Sequence, residues 1–179
     1  MSKITEHKKN WEALGELDPF WAVLSDSSKR FNNWDLNEFL STGESEVENI
    51  FSQMQKNNIG LNGGEMLDFG CGVGRLARFW LKHFSKYNGT DISQAMVEKA
   101  REINSGLMAE FFVNSDDLKI FSDKKFDFIY SGIVLQHLPD REFIKKYILE
   151  FKRVLKDGGV LVFQLPSEIP WRFRFLQHI

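Results

Sequence analysis

Short apolar segments alternate with amphipathic segments along the chain from residue 65 onward. Runs of consecutive apolar residues bounded by glycines or acids are typical of buried strands. They predict strands at Met66–Phe69, Phe111–Val113, Phe126–Tyr130 and Val160–Leu165, and Tyr87–Thr90, which ends at Asp91, is a further short strand candidate. Between several of these runs, apolar residues recur at spacings of three and four, which predicts helices. The alternation predicts an α/β fold, in which a doubly wound, mostly parallel sheet has helices on both faces.

The predicted helices have recognisable ends. The first follows the first strand and is expected from Leu76 to Phe84. Ser93 can cap a second helix that Gly106 ends, and Asp140 can cap a third that ends at Gly158-Gly159. The inner face of the second helix carries Met96, Val97, Ala100 and Ile103. The inner face of the third carries Phe143, Ile144, Tyr147, Ile148, Phe151, Val154 and Leu155.

The first 60 residues are more polar and less regular. Val47, Ile50, Phe51 and Met54 lie on one helical face; Ser45 or Glu44 could open that helix, and Gly60 lies just past its end. A shorter helical or irregular segment is expected around Asp18-Pro19. We therefore divide the chain into an N-terminal helical cap or lid, residues 1–60, and a main domain, residues 61–179.

Composition and charge exclude several classes of protein. The chain has 179 residues, 42% hydrophobic and 27% charged, which suits one globular domain. A net charge of -2 argues against a nucleic-acid binder that acts through bulk charge. The single cysteine, Cys71, excludes an intrachain disulfide and a cysteine zinc site, and no metal is expected. No apolar run is long enough to span a membrane or to form a signal peptide, so a cytoplasmic location is expected.

A glycine-rich turn follows the first strand. Ligands of parallel sheets bind beyond the carboxyl ends of the strands, and glycines allow close approach to the backbone there. Gly70, Gly72 and Gly74 stand at alternate positions, with Asp68 two residues before the first. A dinucleotide fingerprint requires glycine at position 75, but Arg75 stands there. The turn therefore argues against a nicotinamide-dependent oxidoreductase.

Acidic residues follow the next two strands. Asp91 ends the second strand, where its carboxylate can accept both hydroxyls of a ribose. Asp116 and Asp117 follow the third strand, where an acceptor could meet the amino group of an adenine. Each alone could be an ordinary helix or turn cap. Their placement at successive strand ends favours a nucleoside site.

The chain resembles the class I S-adenosylmethionine-dependent methyltransferases in six segments that follow that family's order between about residues 65 and 165. These segments are Asp68–Gly74, Asp91–Ser93, Asn114–Leu118, Phe126–Ser131, Gln136–Leu138 and Leu155–Gly159. The resemblance implies a Rossmann-like fold, S-adenosylmethionine as the cofactor and S-adenosylhomocysteine as the product.

The resemblance also implies roles for individual residues. The methionine part of the cofactor would lie over Gly70, Cys71 and Gly72, and Ile92 would pack on the adenine. The region of Ser131 would receive the methionine amino group. The residues expected to bind the cofactor are Asp68, Gly70, Cys71, Gly72, Arg75, Asp91, Ile92, Asp116, Asp117, Leu118, Ser131 and Gln136.

Four of the chemically interesting residues have a second interpretation. Cys71 is a small packing residue rather than a nucleophile, because no partner for it is evident. Arg75 is either a solvated helix charge or a ligand of the substrate or of the methionine carboxylate. Gln136 either contributes to the site or caps its local turn. His137 either stabilises that turn or, as the candidate catalytic residue, takes a proton from a hydroxyl or amine nucleophile.

The two ends of the chain raise separate questions. The N-terminal aromatics could form a lid that shapes the acceptor pocket, or could cover a sheet edge; they are Trp11, Phe20, Trp21, Phe31, Trp34 and Phe39. After the fifth strand this family normally adds a helix and two strands. Residues 167–179 are too short for both, so these strands are expected to be missing from a truncated chain. The alternating segment 171–175 could be a strand, a membrane-contacting patch or the start of something removed.

Three functions remain in competition. The leading prediction is S-adenosylmethionine-dependent methyl transfer to an O, N or C atom of a small-molecule acceptor, with a nucleic-acid acceptor disfavoured. The alternative is a catalytically silent S-adenosylmethionine-binding module that acts with a partner. A nicotinamide-dependent oxidoreductase comes third, and it predicts NAD binding instead.

Overall fold

The computed structural model describes residues 2–114 and 116–165. Five parallel strands form one sheet in the order β3-β2-β1-β4-β5. The strands are β1 (Glu65–Phe69), β2 (Lys86–Asp91), β3 (Ala109–Val113), β4 (Phe126–Ser131) and β5 (Leu155–Phe163). The helices are α1 (Lys3–Leu17), α2 (Pro19–Val23), α3 (Leu36–Lys56), α4 (Ala77–Trp80), α5 (Gln94–Ile103) and α6 (Arg141–Val154). This architecture confirms the predicted doubly wound α/β fold.

The strand order places the topological switch point at β1. The chain proceeds outward from β1 through β2 to β3, then returns to the other side of β1 for β4 and β5. Crossover connections that leave one strand in opposite directions open a crevice beyond its carboxyl end. The segment that follows β1 is the glycine-rich turn, so the topology itself positions that turn at the crevice.

The helices cover both faces of the sheet because successive strand residues point in opposite directions. Met66 of β1 and Phe128 of β4 pack with Trp80 in one buried cluster. Their neighbours Leu67 and Ile129 pack in a second cluster with α6. Both faces of these two central strands are therefore apolar, as the continuous hydrophobic runs of the sequence predict.

Side-chain caps begin five of the six α-helices described, and three of these caps bear on the predictions. Ser93 accepts a hydrogen bond from the Met96 amide at the start of α5, and Asp140 caps α6, as predicted. The predicted start of α3 at Ser45 or Glu44 is wrong, because Asp35 accepts the Glu38 amide at 2.9 Å and begins the helix at residue 36. The cap lies far enough upstream to add two turns to the predicted helix.

Two predicted boundaries after the strands are also wrong. The helix expected from Leu76 to Phe84 is α-helical over only four residues. Hydrogen bonds between residues three apart, such as that from the His83 amide to the Trp80 carbonyl, form the turn that follows. The Gly158-Gly159 pair does not end α6, which stops at residue 154. It lies inside β5 where the register with β4 shifts, and Gly158 has a φ of 75°.

The N-terminal helices pack on the sheet domain. The segment expected to be short or irregular contains α1, a helix of 15 residues whose first turn is capped by Ser2. Gly15 of α1 lies so close to α5 that a Cβ atom would be 2.9 Å from the Ser93 hydroxyl. Glu12 accepts the Gln94 and Ala95 amides at 2.7 and 3.1 Å. Through these contacts α1 packs against the N-terminus of α5, whose free N–H groups bind the Glu12 carboxylate.

The C-terminal predictions fall on residues 166–179, which lie outside the described residues. In the part of the chain that is described, no helix has both the length and the apolar character that crossing a membrane requires.

Candidate functional site

A cavity of about 390 Å³ lies beyond the carboxyl ends of β1, β2 and β4. Its floor is formed by the glycine-rich turn and the residues after β2, and its opposite wall comes from α1, α2 and α3. Because β1, β2 and β4 are parallel neighbours, the segments that follow them meet at this edge. The sequence elements predicted to form a site are thus brought together by the sheet.

The glycine-rich turn has a backbone that only glycine adopts easily. Gly70 and Gly72 have φ values of 77° and 53°, in the left-handed region. A Cβ atom at Gly70 would lie 2.2 Å from a methyl group of Val134, and one at Gly72 would lie 2.6 Å from a methyl group of Val23. Both glycines line the cavity, and their missing side chains make room for Val134 and Val23 in its wall.

Asp91 ties this turn to the second strand. One carboxylate oxygen accepts the Gly72 amide at 2.9 Å and the other accepts the Ser93 amide at 3.0 Å. Burial raises the pKa of Asp91, while the hydrogen bonds from these amides lower it. Asp91 and the adjacent Ile92 both line the cavity. Each carboxylate oxygen keeps acceptor capacity beyond its amide bond, which is the chemistry a ribose diol requires.

Asp68 is buried in the cavity wall. It is 3% exposed, and its carboxyl group accepts a 2.7 Å hydrogen bond from the Tyr87 hydroxyl. Burial raises the pKa of Asp68 to about 7, and the Tyr87 hydrogen bond opposes that rise. Burial also raises the pKa of the Cys71 thiol, which favours the neutral, unreactive form. Cys71 therefore fits the packing interpretation.

Arg75 is buried rather than solvated, so the solvated-charge interpretation is wrong. Its guanidinium pairs with Glu46 of α3 and donates to the Thr42 hydroxyl at 3.0 Å. The second oxygen of Glu46 accepts the Tyr130 hydroxyl at 2.7 Å. All of these groups except Thr42 line the cavity. Glu46 was not singled out in the sequence, because it lies 29 residues before its partner on a helix with no local signal of function.

The segment after β3 differs from expectation in detail. Asp116 is exposed, Asp117 pairs with Lys119 at 2.8 Å, and Leu118 is fully buried in the core. These three are not among the residues that line the cavity. Asn114 does line it, and its side-chain oxygen accepts the Tyr147 hydroxyl at 3.1 Å. The segment therefore reaches the cavity through Asn114, which leaves its amide NH₂ group to meet a ligand.

The turn after β4 forms another side of the cavity. Ser131 is fully buried just behind this turn, and Gly132 and Ile133 line the cavity. Ile133 has a φ of 58°, an unusual conformation for a β-branched residue. Gln136 is exposed and lies outside the cavity lining, with its amide nitrogen 3.3 Å from the Nε2 atom of His137.

His137 does line the cavity, beside an aromatic residue of the N-terminal segment. Its ring lies 5.6 Å from that of Trp11, measured between centroids. Burial lowers the pKa of His137, which keeps the imidazole neutral at neutral pH. Trp34 and Phe39, two of the aromatics that could form a lid or cover a sheet edge, pack in a buried cluster with Met96. Of the aromatics proposed as a lid, Trp11 is the one in the cavity wall.

Three buried polar atoms in or next to the cavity lack a partner among the described residues. They are the Arg75 Nε, the Thr90 hydroxyl and the Ser131 hydroxyl. A buried donor or acceptor without a partner costs about 1–3 kcal/mol, and these three atoms have almost no surface open to the cavity. Among residues 2–114 and 116–165, no group of three or more His, Cys, Asp or Glu side chains could hold a metal ion.

Comparison with known proteins agrees with this geometry. A family model described as a methyltransferase domain matches residues 67–163. The malonyl-[acyl-carrier protein] O-methyltransferase of Hamiltonella defensa is 33% identical over 98 residues, which is 55% of this chain and 36% of that protein. The ubiquinone biosynthesis O-methyltransferase of Pasteurella multocida is 35% identical over 116 residues, covering 58% of this chain and 47% of that protein. The chain thus spans between a third and half the length of these relatives.

Solved structures show the same fold. An S-adenosylmethionine-dependent methyltransferase of Clostridium acetobutylicum superposes with a TM-score of 0.58 and 28% identity, over 68% of this chain and 49% of the other. A Haemonchus contortus phosphoethanolamine N-methyltransferase, in complex with S-adenosylhomocysteine, gives a TM-score of 0.69 at 15% identity, over 91% of this chain and 33% of the other. Since the family model covers more than half of the sequence, the chain belongs to the class I S-adenosylmethionine-dependent methyltransferases.

Proposed function

We propose that this chain binds S-adenosylmethionine in the cavity and transfers its methyl group to an O, N or C atom of a small-molecule acceptor. The observation that carries the proposal is the position of Asp91. Its carboxylate is fixed by the Gly72 and Ser93 amides at the edge of the cavity, directly beside the glycine-rich turn. That arrangement joins a ribose acceptor to a backbone surface that a ligand can approach closely.

The residues present fit the cofactor along its length. Gly70, Cys71 and Gly72 would lie under the methionine part, and Asp91 would accept the ribose hydroxyls. Ile92 and Asn114 would meet the adenine, taking the role that we expected of Asp116, Asp117 and Leu118. Arg75 and Thr90 line the cavity and Ser131 is buried directly behind it, and these residues would serve the polar methionine end.

The Arg75–Glu46 pair gives this end of the cavity both signs of charge. An amino acid carries an ammonium and a carboxylate, and a guanidinium beside a carboxylate can receive both. Arg75 keeps its Nε donor unpaired among the described residues, while Glu46 holds the other end of the guanidinium in place. Thr42 and Glu46 belong to α3, so the N-terminal segment helps to build the cofactor site.

The main demand on the protein is positional. When bound, the cofactor supplies a methyl group that its sulfonium already activates. The cavity walls then have to hold the acceptor in line at near-attack distance, an effect worth up to about 7–11 kcal/mol, and to exclude water. His137 lies in the wall with a neutral imidazole, which suits the proposed role of accepting a proton from a hydroxyl or amine.

The names of relatives support a small acceptor. One is named for the methylation of a malonyl group on acyl-carrier protein, one for ubiquinone biosynthesis and one for 2-methyl-6-phytyl-1,4-hydroquinone. The acceptor of this chain is proposed to be of that kind rather than a polynucleotide.

Thermal unfolding with S-adenosylmethionine, S-adenosylhomocysteine or NAD tests the proposal. A ligand at 100 times its Kd stabilises the native state by about 2.7 kcal/mol, which raises the Tm by roughly 5–10 °C in a domain of this size. We expect this rise with both adenosyl ligands and its loss in Asp91→Ala. Asp116→Ala is the matched control and should keep the rise, because Asp116 lies outside the cavity.

Each other outcome has a definite meaning. A rise with NAD alone would overturn the proposed cofactor. A rise with S-adenosylhomocysteine that survives in Asp91→Ala would overturn the ribose role of that residue. Tight cofactor binding without turnover on a broad panel of acceptors would favour the silent cofactor-binding module.

A further inference from the structure

The helix α6 differs from the other helices in its charge. Its 14 residues include five lysines and arginines and two glutamates, which gives it a net charge of +3 in a chain whose net charge is -2. The helices α1 and α5 each carry equal numbers of cations and carboxylates, and α3 has a net charge of -3. Positive charge is therefore concentrated on α6.

The apolar side chains of α6 face the sheet and leave the cations outside. Tyr147, Phe151 and Val154 are buried in the cluster that α6 forms with residues of β1 and β4. The residues on the opposite side of the helix are exposed, and they are Arg141, Glu142, Lys145, Lys146, Leu149 and Lys152. We call these six residues the basic face of α6.

A leucine stands in the middle of the basic face. Leu149 is 67% exposed. Residues three and four positions away are neighbours on a helix surface, and for Leu149 all four of these neighbours are cationic. They are Lys145, Lys146, Lys152 and Arg153. The described part of the chain thus leaves an apolar side chain uncovered at the centre of a ring of positive charge.

Most cations of the basic face have no carboxylate partner. Among residues 2–114 and 116–165, Arg141, Lys146 and Lys152 form no ion pair. Lys145 pairs with Glu142 at 2.8 Å in an exposed position. An exposed ion pair of this kind is weak, so both groups can exchange it for contacts with a partner.

Carboxylates beside the basic face are engaged with other cations. Asp117 pairs with Lys119 at 2.8 Å, and Asp123 and Glu150 both bind Arg153. These carboxylates therefore do not neutralise the free cations of the basic face. A surface of unneutralised positive charge attracts a negatively charged partner and accelerates its association.

The composition of the basic face distinguishes between kinds of negative partner. A helix that lies in a membrane surface inserts a broad apolar face, whereas Leu149 is the one apolar residue of this face. A nucleic acid would place phosphates against the leucine, and the basic face has no aromatic side chain on which a base could stack. Protein interfaces combine an apolar centre with a polar rim, which is the arrangement of the basic face.

We propose that the basic face of α6 binds an acidic protein surface. The partner presents an amphipathic helix whose apolar stripe receives Leu149 and whose flanking carboxylates pair with Arg141, Lys146 and Lys152. None of the six residues of the basic face lines the cavity, so the partner and the cofactor use separate surfaces. The proposal therefore goes beyond methyl transfer and does not depend on it.

A synthetic acidic peptide serves as the probe. It is a fluorescently labelled, helix-forming sequence of glutamates with one stripe of leucines at spacings of three and four. Fluorescence anisotropy measures its binding to the wild-type chain, Leu149→Ser, Lys152→Glu and Lys56→Glu. Lys56 is the matched control: like Lys152, it is an exposed lysine in the last turn of a helix and has no ion pair among the described residues. Its helix α3 packs in the other core cluster, on the opposite face of the sheet.

We expect the wild-type chain and Lys56→Glu to bind the peptide with equal affinity. Lys152→Glu should bind it at least about tenfold more weakly and with a smaller dependence on salt, because an ion pair becomes a repulsion. Leu149→Ser should bind it about tenfold more weakly with an unchanged dependence on salt, because this variant loses apolar contact and no charge.

Several results would overturn the proposal. One is a wild-type chain that does not bind the peptide. Another is an equal loss of binding in Lys56→Glu and Lys152→Glu, which would show an effect of net charge alone. Wild-type affinity in Leu149→Ser would make the basic face a site for any polyanion. Stronger binding to phosphatidylglycerol vesicles or to duplex DNA than to the peptide would assign the face to a membrane or to a nucleic acid.

Calorimetry with S-adenosylhomocysteine separates this proposal from the proposed function. All four chains should bind S-adenosylhomocysteine equally, because the substituted residues lie outside the cavity lining. A wild-type chain that fails to bind it refutes the proposed function and leaves the peptide result standing. Circular dichroism verifies that each variant is folded, and Lys146→Glu replaces Lys152→Glu if that variant is unfolded.

Discussion

Replacing Asp68 with asparagine should change how the stability of the ligand-free protein depends on pH. Asp68 is 3% exposed, and its carboxyl group lies 2.7 Å from the Tyr87 hydroxyl. Asparagine is nearly the same size and keeps an oxygen that can accept this hydrogen bond. The variant therefore removes the ionisable group and leaves the surrounding contacts in place.

The magnitude follows from the pKa, which burial raises from 3.8 to about 7. Between these pH values the folded chain holds a proton on Asp68 that the unfolded chain has lost. The unfolded state then binds fewer protons, so the free energy of unfolding falls as pH rises. The shift corresponds to about 4 kcal/mol, present in full below pH ~4 and lost as pH passes ~7.

Urea unfolding at a series of pH values, without cofactor, measures the difference. Between pH ~4 and ~8, the free energy of unfolding should fall by about 4 kcal/mol more in the wild-type chain than in Asp68→Asn. At the upper end of this range the variant should be the more stable of the two. Asp116→Asn, at an exposed position, serves as the control and should follow the wild type. Parallel pH curves for the wild type and Asp68→Asn would refute the reasoning.

Two further predictions concern packing and a charged network. In chemical unfolding, Gly74→Ala should lower the free energy of unfolding by at least about 2 kcal/mol more than Gly106→Ala does. Both glycines have positive φ, but a Cβ atom at Gly74 would lie 2.7 Å from the Phe111 ring, whereas one at Gly106 meets nothing within 4 Å; equal losses would contradict this. Glu150→Ala should lower the free energy of unfolding by about 2 kcal/mol, because Glu150 binds Arg153 through both oxygens and accepts the Leu118 amide at 2.8 Å. Lys3→Ala removes an exposed ion pair and serves as the control, because it should leave the free energy of unfolding unchanged. If Glu150→Ala also leaves it unchanged, the network around Arg153 does not contribute to stability.

Local patterns predicted the sheet domain well. Most of its strands contain short runs of consecutive apolar residues, which burial on both faces of a parallel sheet favours, whereas β2 (Lys86–Asp91) is mostly polar in sequence. Ser93 and Asp140 were identified as helix caps because capping depends on a few adjacent residues. The same reasoning failed at Gly158-Gly159, where a glycine pair fits either a helix end or a strand irregularity, and the pairing of β5 with β4 decides between them.

Within the site, sequence reasoning reached the glycine-rich turn and Asp91, because both depend on residues at a strand end. Trp11 was identified only as one of six aromatics that could form a lid, and Glu46 and His7 were not identified as site residues at all. They lie on helices with ordinary amphipathic patterns, and nothing in their neighbours indicates the cavity that they face.

The sequence by itself determined the class of fold, the edge of the sheet where a ligand binds and the family to which the chain belongs. These depend on short-range order: apolar runs, caps and the spacing of glycines and acids along a few consecutive residues. Only the tertiary structure decided which side chains complete the cavity, since α1 and α3 are brought to it by contacts between residues far apart in the chain. Glu12 on the first amides of α5 and Glu46 on Arg75 are such contacts. Their geometry arises from packing three helices on one sheet, which no local pattern encodes.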